Sequence, residues 1–305
     1  MSMHVIIDCD PGIDDALALL LAAGLPQIEL LAVTTVAGNR PVEITARNAR
    51  QLLDLAGRSA VRVYAGAARP FGYREARCNL VHGADGLGGV ALAPAGPIAP
   101  GAAALRLAQL LHEAPARSID LVAIGPLTNL ALCEMLAPGS LARARRVLVM
   151  GGALRVPGNI TPAAEFNFHA DPTAAQIVCQ AGAELLLFPL DVTSQAVMAP
   201  DWIAAFGGAA NACGMVAGQM LAAYALQDPL LHDACPVAWL ARPGLFRTED
   251  CHVQVDWRDG PSAGHVQAWF GERGDAPGAP NVRAVTGVDN HALLDMVAQA
   301  IARLP

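Results

Sequence analysis

The chain has 305 residues, 54% hydrophobic and only 15% charged, so a large core is available and extended disorder is excluded. A formal net charge of −7 argues against a nucleic-acid partner, which calls for a basic face. All 20 basic residues are arginine, which excludes a phosphate-loop lysine, a pyridoxal Schiff base and an amine nucleophile.

The N-terminus, Met1-Ser2-Met3-His4, runs directly into a strand-like segment without the basic and apolar regions of an export signal. The longest strongly apolar run, Ala16 to Leu25, is about half of what a membrane span needs. The seven cysteines are odd in number, show no Cys-x-x-Cys pair and read as buried thiols in a reducing compartment. A cytoplasmic protein without membrane or nucleic-acid contacts is expected.

Along the chain, His4 to Ile7 predicts a strand, Asp10-Pro11-Gly12 a turn and Asp14 to Ala23 a helix. Glu29 to Val36 predicts a second strand, Val42 to Ala56 a helix and Val61 to Tyr64 a third strand. Three further strands are expected at Ile119 to Ile124, Val147 to Met150 and Leu185 to Leu190. Continuous apolar strands separated by helices predict one α/β domain over residues 1–305, with a mostly parallel sheet flanked by helices. Beyond about Trp202 come helices and then short strands at His252 to Asp256, His265 to Phe270 and Val282 to Val285.

In such folds ligands bind at the carboxyl ends of the strands. Here those ends carry Asp8 and Asp10, then Asn39, Gly125-Pro126, Gly151-Gly152 and Asp191. Two long loops join them. Arg69 to Pro100 contains His82 in a glycine-dense stretch suited to a cover, and Ala153 to Asp171 carries Asn159, Glu165, Asn167 and His169.

Asp8, Asp10, Asp14 and Asp15 fall within eight residues, and four carboxylates so close repel unless a cation or protons neutralise them. Helix capping explains Asp14 or Asp15 alone, but not Asp8 and Asp10 as well. All-oxygen donors point to Ca²⁺ or Mg²⁺ rather than zinc. Cys9 alternates to the opposite face and reads as packing. His232-Asp233, opening the helical stretch Ala234 to Ala241, is either a cap or a further ligand pair.

Asp8-Cys9-Asp10-Pro11-Gly12-Ile13-Asp14-Asp15-Ala16 resembles the N-terminal signature of the inosine–uridine-preferring nucleoside hydrolases. Val36-Ala37-Gly38-Asn39, His82-Gly83, Gly125-Pro126-Leu127-Thr128-Asn129 and Met150-Gly151-Gly152-Ala153 follow in order. Gly158-Asn159, Thr161 to Asn167, Ala170-Asp171-Pro172 and His232-Asp233 extend the resemblance to about Asp233.

The resemblance implies a single Ca²⁺ held by Asp10, Asp15, Asp233 and the backbone carbonyl of Ile124, with Asp10 also the base that deprotonates the attacking water. It implies that Asp14, Asn39, Asn159, Glu165 and Asn167, with Asp233, grip the ribose of a ribonucleoside, with Met150 as an apolar wall. His232 matches a histidine that acts as acid for the leaving base in some members, and His82 would approach as its loop closes. His169 stands where relatives carry an apolar residue. Tyr224 and Gln227 are candidates for the base contacts, although Tyr224 also fits the apolar face of a helix running from about Met215. Trp, Tyr and Phe together number 14, so purine stacking has few platforms and the balance tilts to pyrimidine or mixed nucleosides. A homodimer or homotetramer is implied.

Three rivals remain. A haloacid-dehalogenase-type phosphatase also opens on Asp-x-Asp, but wants a hydroxylated residue where Pro11-Gly12 stands and a later lysine. A non-catalytic Ca²⁺-dependent nucleoside- or sugar-binding protein would need neither a general base nor His232. A hydrolase of a modified nucleoside or another ribosyl compound would keep the whole set.

Overall fold

The computed structural model describes residues 2–271 and 275–305; Met1, where the N-terminal expectation began, lies outside them. Nine strands form one sheet: β1 (Met3–Cys9), β2 (Ile28–Thr35), β3 (Arg62–Ala65), β4 (Ile119–Ala123), β5 (Arg146–Met150), β6 (Leu185–Phe188), β7 (Phe246–Val255), β8 (Val266–Phe270) and β9 (Val282–Val288). Their spatial order is β3-β2-β1-β4-β5-β6-β9-β7-β8. Every neighbouring pair from β3 to β9 is parallel, and β7 pairs antiparallel with both β9 and β8.

Alternation along β1 explains the two cores. Val5, Ile7 and Cys9 face one apolar layer and Ile6 the other, all fully buried. The helix Ile13–Gly24 is buried on every side, packed by the helices Ala234–Ala241 and Asn290–Ile301. Its Leu17, Leu20 and Leu21 each contribute roughly 2 kcal/mol of burial. No helix among the described residues is long and apolar enough to cross a membrane.

β7 starts six residues before the expected His252. Arg247, Thr248, Glu249 and Asp250 break the apolar pattern, because this half of β7 pairs with β9 alone while β8 covers only Cys251 to Val255. Ion pairs Arg283–Asp250 and Arg155–Glu249, each at 2.9 Å, replace apolar packing there. Six cysteines are buried and free, but Cys78 is exposed, because it lies between β3 and the helix Ala103–Glu113 in a long segment without helix or strand.

The strand order reverses at β1. The chain winds outward to β3 on one side and resumes at β4 on the other, which opens a crevice beyond the ends of β1 and β4. Asn129, on the helix Thr128–Leu136, ties this point together. Its Nδ2 donates to Asp8 Oδ1 (2.8 Å) and the Thr35 carbonyl (2.9 Å), and its Oδ1 accepts from the Ala67 N–H (2.9 Å). Asn129→Ala should therefore destabilise the fold by about 3 kcal/mol, since buried partners on β1 and β2 and a half-buried one after β3 lose their bonds. A clear drop in Tm on thermal unfolding checks this; an unchanged Tm contradicts it.

Candidate active site

The turn after β1 is shaped by carboxylates accepting backbone N–H groups. Asp15, in the first turn of its helix, reaches back so that Oδ1 accepts from Asp10 N–H and Oδ2 from Gly12 N–H, both at 3.0 Å. Asn39 Nδ2 also donates to Asp15 Oδ2 (3.2 Å). Asp10 Oδ2 accepts from the Asn39 N–H at 2.6 Å, while its Oδ1 is buried with no hydrogen-bond partner. A Cβ at Gly38 or Gly125 would collide with the Asp10 carboxylate, so these glycines allow the close approach.

Asp14, Asp15 and Asp233 bring carboxylate oxygens within 4.8 Å of one another, all buried. Burial, then Asp14, pushes Asp15 up to about 7. Burial and neighbouring carboxylates likewise raise Asp10 and Asp233 well above the ordinary range. An orphaned carboxylate oxygen beside a buried cluster of like charges, with only oxygen donors at hand, fits a hard divalent cation.

Asp8, read in the sequence with this cluster, turns elsewhere. Its Oδ1 accepts from Thr34 Oγ1 and Asn129 Nδ2, and burial pushes it up to about 7. Cys9 is buried on the far face, its Sγ against the Thr34 carbonyl, as alternation predicts.

Above the cluster lies a cavity of about 210 Å³. Asp14, Asn39, Ile124, Met150, Asn167 and Asp233 line its floor, and Asn159 and Glu165 one side, whereas Asp10 and Asp15 sit beneath the surface. Asn167 Nδ2 donates to the carbonyls of Ile124 (3.0 Å) and Met150 (3.2 Å), tying the ends of β4 and β5. Glu165 caps the short helix Phe166–Ala170: Oε1 accepts from Asn167 N–H (2.8 Å), and Oε2 from Phe168 N–H (3.1 Å) and Gly152 N–H (2.9 Å). Burial raises its pKa despite these bonds. Asn159 Oδ1 accepts from Phe166 N–H (2.9 Å).

The outer wall comes from the long segment after β3 and the turn after the helix Ala212–Tyr224. His82 Nδ1 accepts from Ile13 N–H (3.2 Å), so the ring proton sits on Nε2, 3.6 Å from Asp14 Oδ1. Burial pushes the His82 pKa down, which keeps the ring neutral. It stacks on Tyr224 with centroids 5.1 Å apart, and Tyr224 OH lies 3.5 Å from Asp14 Oδ2. Tyr224 is 1% exposed on its helix, as the apolar-face reading expects, and also lines the cavity. His232 meets Thr193 Oγ1 through Nδ1 (2.8 Å) and Asp228 Oδ2 through Nε2 (3.2 Å). Burial opposes its charge, but Asp228, Asp14 and Glu165 outweigh burial and raise its pKa.

Sequence reasoning missed Asn79, which donates to Asn39 Oδ1 (2.7 Å), and Asp228, for which the four-residue spacing to His232 was the available signal. Two flagged residues work elsewhere. His169 holds Ala263 O (3.1 Å) and Arg77 (3.2 Å), and Asp191 accepts from the N–H groups of Leu154 and Arg155, each at 2.9 Å.

The family model of the inosine-uridine preferring nucleoside hydrolases matches residues 5–295. The chain belongs to this family. A pyrimidine-specific ribonucleoside hydrolase of Shewanella sp. strain ANA-3 is 37% identical over 99% of this chain and 97% of its own. Among solved structures, a plant nucleoside hydrolase superposes with a TM-score of 0.91 at 30% identity, covering 99% of both chains. A purine-preferring ribonucleoside hydrolase from Gardnerella vaginalis gives 0.90 at 28% identity over 98% of both. This nucleoside hydrolase is thus an N-glycosyl hydrolase acting on ribonucleosides.

The raised carboxylates make a prediction about pH. Asp8 and Asp15 keep protons to about pH 7 when folded but release them near 3.8 when unfolded. Between those values the fold binds more protons, so metal-stripped protein loses stability as pH rises. Its Tm should be higher at about pH 6 than at about pH 8, and added Ca²⁺ should raise Tm more at the higher pH. The reverse order of Tm would contradict the buried-proton account.

Proposed function

We propose that this nucleoside hydrolase uses one Ca²⁺, held by Asp10, Asp15, Asp233 and the Ile124 carbonyl, and acts best on pyrimidine ribonucleosides. The observation that carries the metal reading is the buried, unpartnered Asp10 Oδ1 beside clustered carboxylates. When bound, such an ion supplies positive charge, orients the sugar hydroxyls and a water, and makes that water easier to deprotonate.

Asp10 is the general base. The Asn39 N–H anchors Oδ2, which leaves Oδ1 to accept the proton of the attacking water. Asp14, Asn39 and Asn167 hold the ribose on the floor, with Asn159 and Glu165 at its side and Met150 as an apolar wall. Cleavage builds positive charge on the sugar, and the carboxylates of Asp14, Glu165 and Asp233 stabilise it. Direct attack by water, without a covalent intermediate, inverts the anomeric carbon. On the outer wall, His232, whose pKa Asp228, Asp14 and Glu165 raise, is the acid for the leaving base, passing its proton through the pair with Asp228, while the neutral His82 offers only a hydrogen bond from Nε2.

Two observations support pyrimidines. Among the described lining residues the phenyl-type rings are Tyr224, already stacked on His82, and Phe166, so stacking platforms for a purine are few. Relatives named pyrimidine-specific reach 37% identity, whereas solved neighbours named purine-preferring or inosine-guanosine stand at 28%.

The test is release of free ribose from cytidine, uridine, inosine and adenosine, with and without a calcium chelator. Release should favour the pyrimidines and stop on chelation. Asp10→Asn should lower kcat by about 10³-fold while nucleoside binding persists. Chelator-resistant release, or an active Asp10→Asn enzyme, contradicts the proposal.

A further inference from the structure

With a ribose on the acidic floor, its base lies against the outer wall. Most polar groups on that wall are already engaged. Asn79 donates to Asn39 and accepts from the Val81 N–H (3.1 Å), His82 Nδ1 accepts from Ile13, and His232 is bonded at both ring nitrogens. Asp228 differs. Its Oδ2 meets His232 Nε2 at 3.2 Å, and its Oδ1 has no hydrogen-bond partner among the described residues. Its side chain is 26% exposed and lines the cavity.

An ionised carboxylate only accepts, and it has lone pairs to spare after one bond to His232. We infer that Asp228 is a specificity-determining residue: it accepts an N–H from the exocyclic amino group of the base, so amino-bearing bases are preferred to their keto counterparts and cytidine to uridine. The inference rests on the ribonucleoside reading above. Cytosine presents its 4-amino group as a donor, whereas uracil presents an oxygen there, which sets acceptor against acceptor in a partly desolvated site. The two rings are alike in size, so pocket volume does not discriminate between them. Gln227, also on this wall, has an amide that can turn either way and fits both.

The experiment measures kcat/KM for cytidine and uridine with wild type, Asp228→Asn and Thr193→Val at fixed Ca²⁺ and pH. Wild type should favour cytidine by about tenfold or more, the size of one hydrogen-bond mismatch. Asp228→Asn should bring the ratio to within about threefold of unity, whatever its overall rate, because an amide can also donate to the uracil oxygen. Thr193→Val removes the other partner of His232 and should slow both substrates while keeping the ratio. A wild type without the preference, or a ratio unmoved in Asp228→Asn, overturns the inference and leaves Asp228 as a support for His232. If wild type with Ca²⁺ hydrolyses no ribonucleoside at all, the underlying ribonucleoside reading fails first.

Discussion

Two carboxylates about 5 Å apart repel by on the order of 3 kcal/mol at the effective dielectric typical of proteins, and desolvation adds to that cost. Asp14, Asp15 and Asp233 are held at this spacing and Asp10 stands buried beside them. A fold does not keep such a group for stability. On the function proposed above, it is kept because something positive arrives, first a cation and then the sugar as its glycosidic bond breaks. The remaining architecture can be understood as the means of holding these acids in place.

Backbone groups provide most of that means. The N–H groups of Asp10, Gly12 and Asn39 bond the carboxylates of Asp15 and Asp10, and fix their direction without adding a competing side-chain cation. Gly38 and Gly125 let two further segments approach Asp10 more closely than any side chain would permit. The parallel sheet delivers these segments because its strand order reverses at β1, which places the ends of β1 and β4 at one crevice. Below, Asp8 and Asn129 stitch β1, β2 and the segment after β3 together.

What the sequence disclosed followed from pattern strength. The six parallel strands of the first two-thirds are largely apolar runs, and each appears within two residues of its expected bounds. The first half of β7 was invisible because Arg247 to Asp250 pair on one side only and carry ion pairs instead of apolar packing. The acidic cluster was legible since its spacing makes no sense without a counter-charge. Asn79 and Asp228 were not, because their roles depend on loops meeting in space, Asn79 on Asn39 and Asp228 on the cavity. His169, whose role the sequence left open, and Asp191, noted only as polar at a strand end, brace loops through their hydrogen bonds.

The most direct measurement is calorimetric titration of Ca²⁺ into metal-stripped protein near neutral pH, in two buffers of different ionisation enthalpy. Because burial and neighbouring carboxylates raise the pKa of Asp10, Asp15 and Asp233, one Ca²⁺ should bind per chain with net release of protons to the buffer. Absence of saturable binding, or binding without proton release, would contradict the claim that these acids are assembled to meet a cation.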